Sequence, residues 1–249
     1  AIRYQAKIEV ALREMLEEGE FGAFTTNFQD LYGMEQLPGL AVQNLMKNGY
    51  GFGAEGDWKT AAMTRIIKLM SQDKSEGTTF MEDYTYSLEP GKEMIMGAHM
   101  LEVCPSVSDE KPRIEVHPLS IGGKDDPARL IFNGTKGSAI VVTLIDLGGR
   151  FSIIVNDIEC VTPENDMPNL PVARVLWKPL PDLATSAEAW ILAGGAHHSV
   201  LTYAITADEM RDFAEILGIE FIHINADTNI NDLKKELRWN DIAWRLKDI

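Results

Sequence analysis

The hydrophobic period of this chain changes once, and that change constrains the fold more than any other feature. Up to Met70 the apolar residues recur at helical spacing. Tyr4, Ile8, Ala11, Leu12, Met15 and Leu16 form one stripe, with Gly19 placed as a C-cap. Pro38 opens a second helix through Leu40, Ala41, Leu45 and Met46, closed by Gly49. Asp57 caps a third helix that runs to about Met70, and a short strand or loop at 21–28 separates the first two. Beyond the polar stretch 71–77 the period becomes two, predicting strands over 79–88, 94–103, 113–121 and 128–132. Segments 137–147 and 150–159 read as a hairpin around Gly148-Gly149. Pro163, Pro168, Pro171, Pro179 and Pro181 mark loops. Thr206 and Glu209 then make a capping box for a helix to Leu217, and 221–224 and 231–239 read as a short strand and a last helix. The fold class expected is α/β followed by mostly antiparallel β with late helices, divided into residues 1–75 and 76–249.

Charge removes several functions. Among 249 residues, 23 Lys and Arg face 38 Asp and Glu, a net charge of −15. Neutralising phosphates needs clustered basic side chains, so no nucleic-acid partner is expected, and no membrane surface for the same reason. The longest apolar stretch, 139–145, is strand-sized and falls far short of the roughly 18 residues of a membrane span. Two cysteines, Cys104 and Cys160, make no disulfide framework, which with the lack of a signal peptide places the expected compartment in the cytoplasm. The chain starts at Ala1, without an initiator Met, and enters a helix at once, so a processed product or a fragment is the expectation.

Candidate chemistry lies in a few His and Glu residues. His197 and His198 follow Gly194, Gly195 and Ala196, small residues that let the backbone approach a ligand. Adjacent side chains diverge, so one of the pair is expected to reach a metal, and spacing leaves open which; the alternative is a polar turn. Glu55 is flanked by Gly53, Ala54 and Gly56 just before a helix, where it could serve only the helix dipole. Glu82 alternates with Phe80, Met81, Tyr84 and Tyr86, so an inward carboxylate there needs a counter-charge. His99 lies in a strand-like run, where a hydrogen-bonded core imidazole is the plainer reading. HExxH, a P-loop, GxSxG and CxxC are absent. The glycines at 49–56 do not fit a dinucleotide fingerprint because no clear strand precedes them, and 122–126 lacks the spacing of a calcium loop. Together the two Glu and the His set suit an N/O site for a divalent cation, at which carboxylates can also act as acid and base.

Segments 24–31, 49–59, 79–86, 99–106, 122–130 and 190–198 closely resemble bacterial L-arabinose isomerase, and the likeness extends to 237–240. It corresponds to the C-terminal half of that family: the end of a central α/β domain plus a β-barrel-like C-terminal domain with packed helices, as in the fucose/arabinose isomerases. The resemblance implies Glu55, Glu82, His99 and His198 as ligands of Mn2+, with Co2+ an alternative, and Glu55 and Glu82 as the catalytic acid/base pair. It implies Phe28 and Ile121 as lining of the sugar pocket, and His197 is expected to hydrogen-bond nearby or touch the sugar. The implied reaction is L-arabinose to L-ribulose, through an enediol or a hydride shift. The implied partners are a sugar, the N-terminal half, and neighbouring subunits of a trimer-based homo-oligomer, a hexamer. A fucose-type isomerase and a non-catalytic fragment that keeps the metal site are the competing expectations, with a metal-dependent hydrolase behind them.

Overall fold

A computed structural model describes residues 1–74, 77–119 and 121–246. The expected division at 75/76 falls on residues outside that set. In chain order the elements are α1 (Ile2–Glu18), β1 (Ala23–Thr26), α2 (Gly39–Lys47), β2 (Gly51–Ala54), α3 (Trp58–Met70), β3 (Thr78–Ser87), β4 (Met94–Ala98), β5 (Arg113–Val116) and β6 (Ala128–Ile131). They continue as β7 (Gly137–Asp146), β8 (Phe151–Val161), β9 (Arg174–Pro179), α4 (Leu183–Ala193), β10 (His198–Thr202), α5 (Ala207–Leu217), β11 (Glu220–Ile224) and α6 (Ile230–Leu246). No described helix is long and apolar enough to cross a membrane.

Six antiparallel strands close into a barrel in the order β8-β7-β10-β3-β4-β9, with β9 returning to β8, and β11 adds to β8 in parallel. Closure removes the open edges that would otherwise template aggregation. The period of two is visible in what each strand packs against. Ala139 and Val141 of β7 join Met81, Ile95, Ile158, Val175, Trp177 and Leu201 in one cluster fed by all six barrel strands, which places it in the lumen. Ile140, Val142 and Leu144 of the same strand face out onto Met63 and Ile67 of α3 and Met210 and Ala214 of α5. Both faces of β7 are thus covered, and its sequence is accordingly an apolar run over 139–145 broken only by Thr143.

The α/β expectation for the first part and the antiparallel expectation for the second are met, with local differences. The glycines at 51 and 53 do not follow a strand; they are the strand, β2, paired in parallel with β1. A Cβ on Gly51 would lie 2.2 Å from the Ala61 carbonyl oxygen, and one on Gly53 would lie 2.3 Å from that of Asp57. These glycines let α3 lie directly on β2. Gly19 ends α1 in right-handed geometry (φ −86), and the left-handed residue is Glu20 at φ 53. The Pro-rich segment conceals β9, whose Val175, Leu176 and Trp177 are all buried, and 183–193 is a helix capped by Asp182. β4 stops at Ala98, so His99 lies beyond the strand rather than within it.

Gly53→Ala is expected to destabilise the fold by about 1–3 kcal/mol, because the clash is with backbone and cannot be relieved by a rotamer. Ser138→Ala, on an exposed barrel position, is the control expected to shift little. Urea denaturation of the two variants checks the difference.

Candidate metal centre

Strand pairing brings the candidates together. Glu82 on β3 lies opposite His198 on one side and opposite Ala98, the residue before His99, on the other. Met81 points into the lumen, so Glu82 and Phe80 share the outer face, over the layer formed by β2 and α2. The seam between barrel and α/β layer is therefore where the carboxylate emerges. Phe80 forms its floor: its ring centre is 5.0 Å from that of His99 and 4.9 Å from that of His198, and the two imidazoles are 6.0 Å apart.

Glu55 arrives from the opposite side. It follows β2 in left-handed geometry (φ 58), with Gly56 at φ 84, in a turn that ends at Asp57, the N-cap of α3. A left-handed backbone is costly for a residue with a Cβ, of the order of 1–3 kcal/mol, and such positions concentrate at functional sites. Glu55, Glu82, His99 and Glu102 line one cavity of about 320 Å³, together with Phe28 and Ile121. No Lys or Arg is among the lining residues.

Each buried imidazole is held by a carboxylate on one nitrogen. His99 contacts Glu102 through Nδ1 at short range, leaving Nε2 at 3.6 Å from Glu82 Oε2. His198 Nδ1 lies 3.3 Å from Asp57 Oδ2. This is the arrangement by which proteins fix the ring and tautomer of a metal-binding histidine. Burial works against the charged form of His99, but the carboxylates of Glu102, Glu82 and Glu55 prevail and raise its pKa. Asp57 shows the converse balance. Burial favours its neutral form, yet hydrogen bonds from His198 and Thr60 hold its pKa down at about 2.

His197 takes another course. Its Nε2 lies 2.8 Å from Glu82 Oε1 and its Nδ1 2.8 Å from Asp83 Oδ1. Its ring, more than half exposed, lines a second cavity of about 280 Å³ at the barrel mouth, with Asp83, Tyr86, Trp177 and Trp190. That cavity does not include Phe28 or Ile121. The structure thus brings Glu55, Glu82, His99, Phe28 and Ile121 to one cavity, sets His198 at its flank across Phe80, and places His197 behind Glu82.

The donors suit a divalent cation, though they are engaged with one another. Among the described residues no group of three or more His, Cys, Asp or Glu side chains stands in finished metal-binding geometry. The 3.6 Å between His99 Nε2 and Glu82 Oε2 is close to the edge of a coordination polyhedron, about 3.0–3.4 Å for donors near 2.1 Å from an ion. Three carboxylates on one wall face a single imidazole and no Lys or Arg, an excess of negative charge that a bound cation would balance.

Sequence reasoning missed Asp57 and Glu102 as imidazole partners. Asp57 was visible only as a helix cap. Glu102 gave no periodic signal because 99–102 is irregular. Asp57→Asn separates cap from charge, since Asn caps as well as Asp. A carboxylate whose folded pKa is depressed adds stability above its unfolded value of 3.8, and loses it as pH falls through about 2. The variant is therefore expected to be about 1 kcal/mol less stable near neutral pH, a figure discounted for partial solvent exposure. That gap should close between pH 4 and pH 2. Urea midpoints at a series of pH values check it, and a pH-independent gap would mean the charge of Asp57 does not matter.

Comparison with known proteins shows the family. Residues 77–220 match the family model of the L-arabinose isomerase C-terminal domain, and residues 1–73 that of the L-arabinose isomerase central domain. L-arabinose isomerase of Geobacillus stearothermophilus is 62% identical over 245 residues, covering 98% of this chain and 49% of the relative. The Bacillus subtilis (strain 168) enzyme is 60% identical over 247 residues, 99% of this chain and 49% of the relative. That of Thermotoga maritima is 58% identical over 246 residues, 99% and 50%. The chain spans about half the length of the curated relatives it matches. With both halves of the chain matched, it belongs to the L-arabinose isomerase family.

Proposed function

We propose that this chain supplies the metal-binding and acid/base half of an aldose–ketose isomerase that converts L-arabinose to L-ribulose. The observation that carries this reading is the cavity wall of Glu55, Glu82, Glu102 and His99 without a Lys or Arg, in a chain of this family. Glu55, Glu82, His99 and His198 are the proposed ligands of a divalent cation, Mn2+ by preference, with Glu102 and Asp57 holding the two imidazoles. When bound, the cation polarises the sugar carbonyl and acidifies the proton on C2.

The chain's own residues do the rest. Of Glu55 and Glu82, one removes the C2 proton and delivers it to C1, and the other carries a proton between the two oxygens. Atoms balance without an external oxidant or reductant, because C1 is reduced as C2 is oxidised. Phe28 and Ile121 supply the apolar side of the pocket, which excludes water from the transferred proton. His197, seated between Glu82 and Asp83, orients the Glu82 carboxylate from behind.

Residues 1–75 are read as the end of the family's central domain and 76–249 as its C-terminal domain. The remaining half of the protein and neighbouring subunits of a trimer-based homo-oligomer complete the sugar pocket. The proposed setting is the cytoplasm.

Two measurements follow. Glu55→Gln and Glu82→Gln in the whole protein, assayed for ketose formation with Mn2+, should each lower turnover by about 10²–10⁴-fold or more while thermal unfolding changes little. The 249-residue chain alone should isomerise L-arabinose poorly and recover activity when the missing half is supplied, since positioning of the sugar is a large part of any rate enhancement. Full turnover by the chain alone, or by either Gln variant, would remove this assignment.

A further inference from the structure

Arg129 is the bulkiest fully buried side chain among the described residues, at 1% exposure. It stands on β6 opposite Glu115 of β5, outside the wall of the candidate cavity. Its guanidinium donates from one terminal nitrogen to the Met100 carbonyl at 3.0 Å and from the other to the His117 carbonyl at 2.8 Å. Met100 follows His99, and the chain beyond His117 continues to Leu119 and Ile121. These two irregular segments supply His99, Met100, Leu101 and Glu102 on one side of the cavity and Leu119 and Ile121 on the other. One guanidinium therefore spans two loops that build nearly half of the wall.

Stability alone does not account for a cation in this place. Its two bonds go to neutral carbonyls, and its Nε is buried without a partner. A buried charge so compensated is commonly no better for stability than an apolar side chain of similar volume. What a Met or Leu could not do is tie two stretches of backbone that no strand ladder holds. The tie also reaches the site chemistry. Glu102 takes the Leu101 N–H at 3.1 Å and His99 Nδ1 on the same oxygen, so the pose of the His99 ring depends on where this loop sits. Burial disfavours the guanidinium charge, and the carboxylates of Glu102 and Asp126 oppose that effect.

We propose that Arg129 is a positioning residue, a two-loop clamp that fixes the His99–Glu102 limb against the Leu119–Ile121 wall and so aims His99 Nε2 at Glu82. Its consequence for cation binding rests on the proposed function; the clamp itself does not. Arg129 is not among the residues that line the cavity.

The test compares the full chain with Arg129→Met and Arg129→Lys, by hydrogen–deuterium exchange and by titration of Mn2+ followed by electron paramagnetic resonance. In Arg129→Met, exchange at residues 99–102 and 117–119 should rise about tenfold while the barrel strands stay protected. Mn2+ affinity should fall by about 10–100-fold, as for loss of a group that orients a ligand. Arg129→Lys, which keeps the charge but reaches one carbonyl at a time, should lie between wild type and Arg129→Met in both readouts. Unchanged loop exchange in Arg129→Met would overturn the clamp. So would an increase spread evenly over the barrel, which would mark a merely structural role. If Arg129→Met does not fold, the same two outcomes are read from Arg129→Lys. Failure of the wild-type chain to bind Mn2+ would count against the metal reading, while loop exchange would still decide the clamp.

Discussion

The pairing of β3 with a neighbour on each side is the constraint on which the site depends. One ladder sets Glu82 against His198, more than a hundred residues later in the chain, and the other sets it against Ala98, at the exit towards His99. A slip of one residue in either register would send Glu82 into the apolar lumen beside Met81. The register is held by side chains on both faces of the sheet: Met81 and Leu201 within the barrel, Phe80 and Val200 outside it. The apolar packing that closes the barrel thus also aligns three donors that the sequence keeps far apart.

The α/β layer contributes a different kind of constraint. β2 carries glycine at 51 and 53 because α3 lies on that face, and the turn that leaves it forces Glu55 into left-handed geometry before Asp57 starts the helix. Asp57 does two jobs in that turn. It caps α3 through Thr60 and holds His198 across the seam. The two layers are joined electrostatically at the place where their carboxylates and imidazoles meet. The same place concentrates Glu55, Asp57, Glu82, Asp83 and Glu102 around three histidines, and the nearest buried cation, Arg129, stands behind the wall rather than in it.

Much of this was legible in the sequence because it obeys local rules. The helix α1, the Asp57 cap, the Thr206–Glu209 capping box and the hairpin around Gly148-Gly149 all appear where their signals stand, although α1 buries Gln5, Ile8 and Leu16 and leaves Met15 exposed. Elements without a local signal were not. β9 hides among prolines because both its faces are buried and no alternation shows. β10 starts inside the His pair that reads as a turn, since its strand character comes from pairing with β3 and β7. Residues Glu55, Glu82 and His99 stood out singly, but bringing them to one cavity is a property of long-range register. Glu102 acts through irregular backbone, where periodicity has nothing to report, while Asp83 and Arg129 stand on strands and meet their partners only through long-range contacts.

The proposed function requires Glu55, Glu82, His99 and His198 to converge on one cation. Diffraction from crystals grown with Mn2+, recorded on both sides of the manganese absorption edge, tests it most directly. One dominant anomalous peak is expected at the outer face of β3, about 2.0–2.4 Å from carboxylate oxygens of Glu55 and Glu82 and ring nitrogens of His99 and His198. A peak coordinated by His197 in place of His198, or one away from the β3 seam, would contradict it.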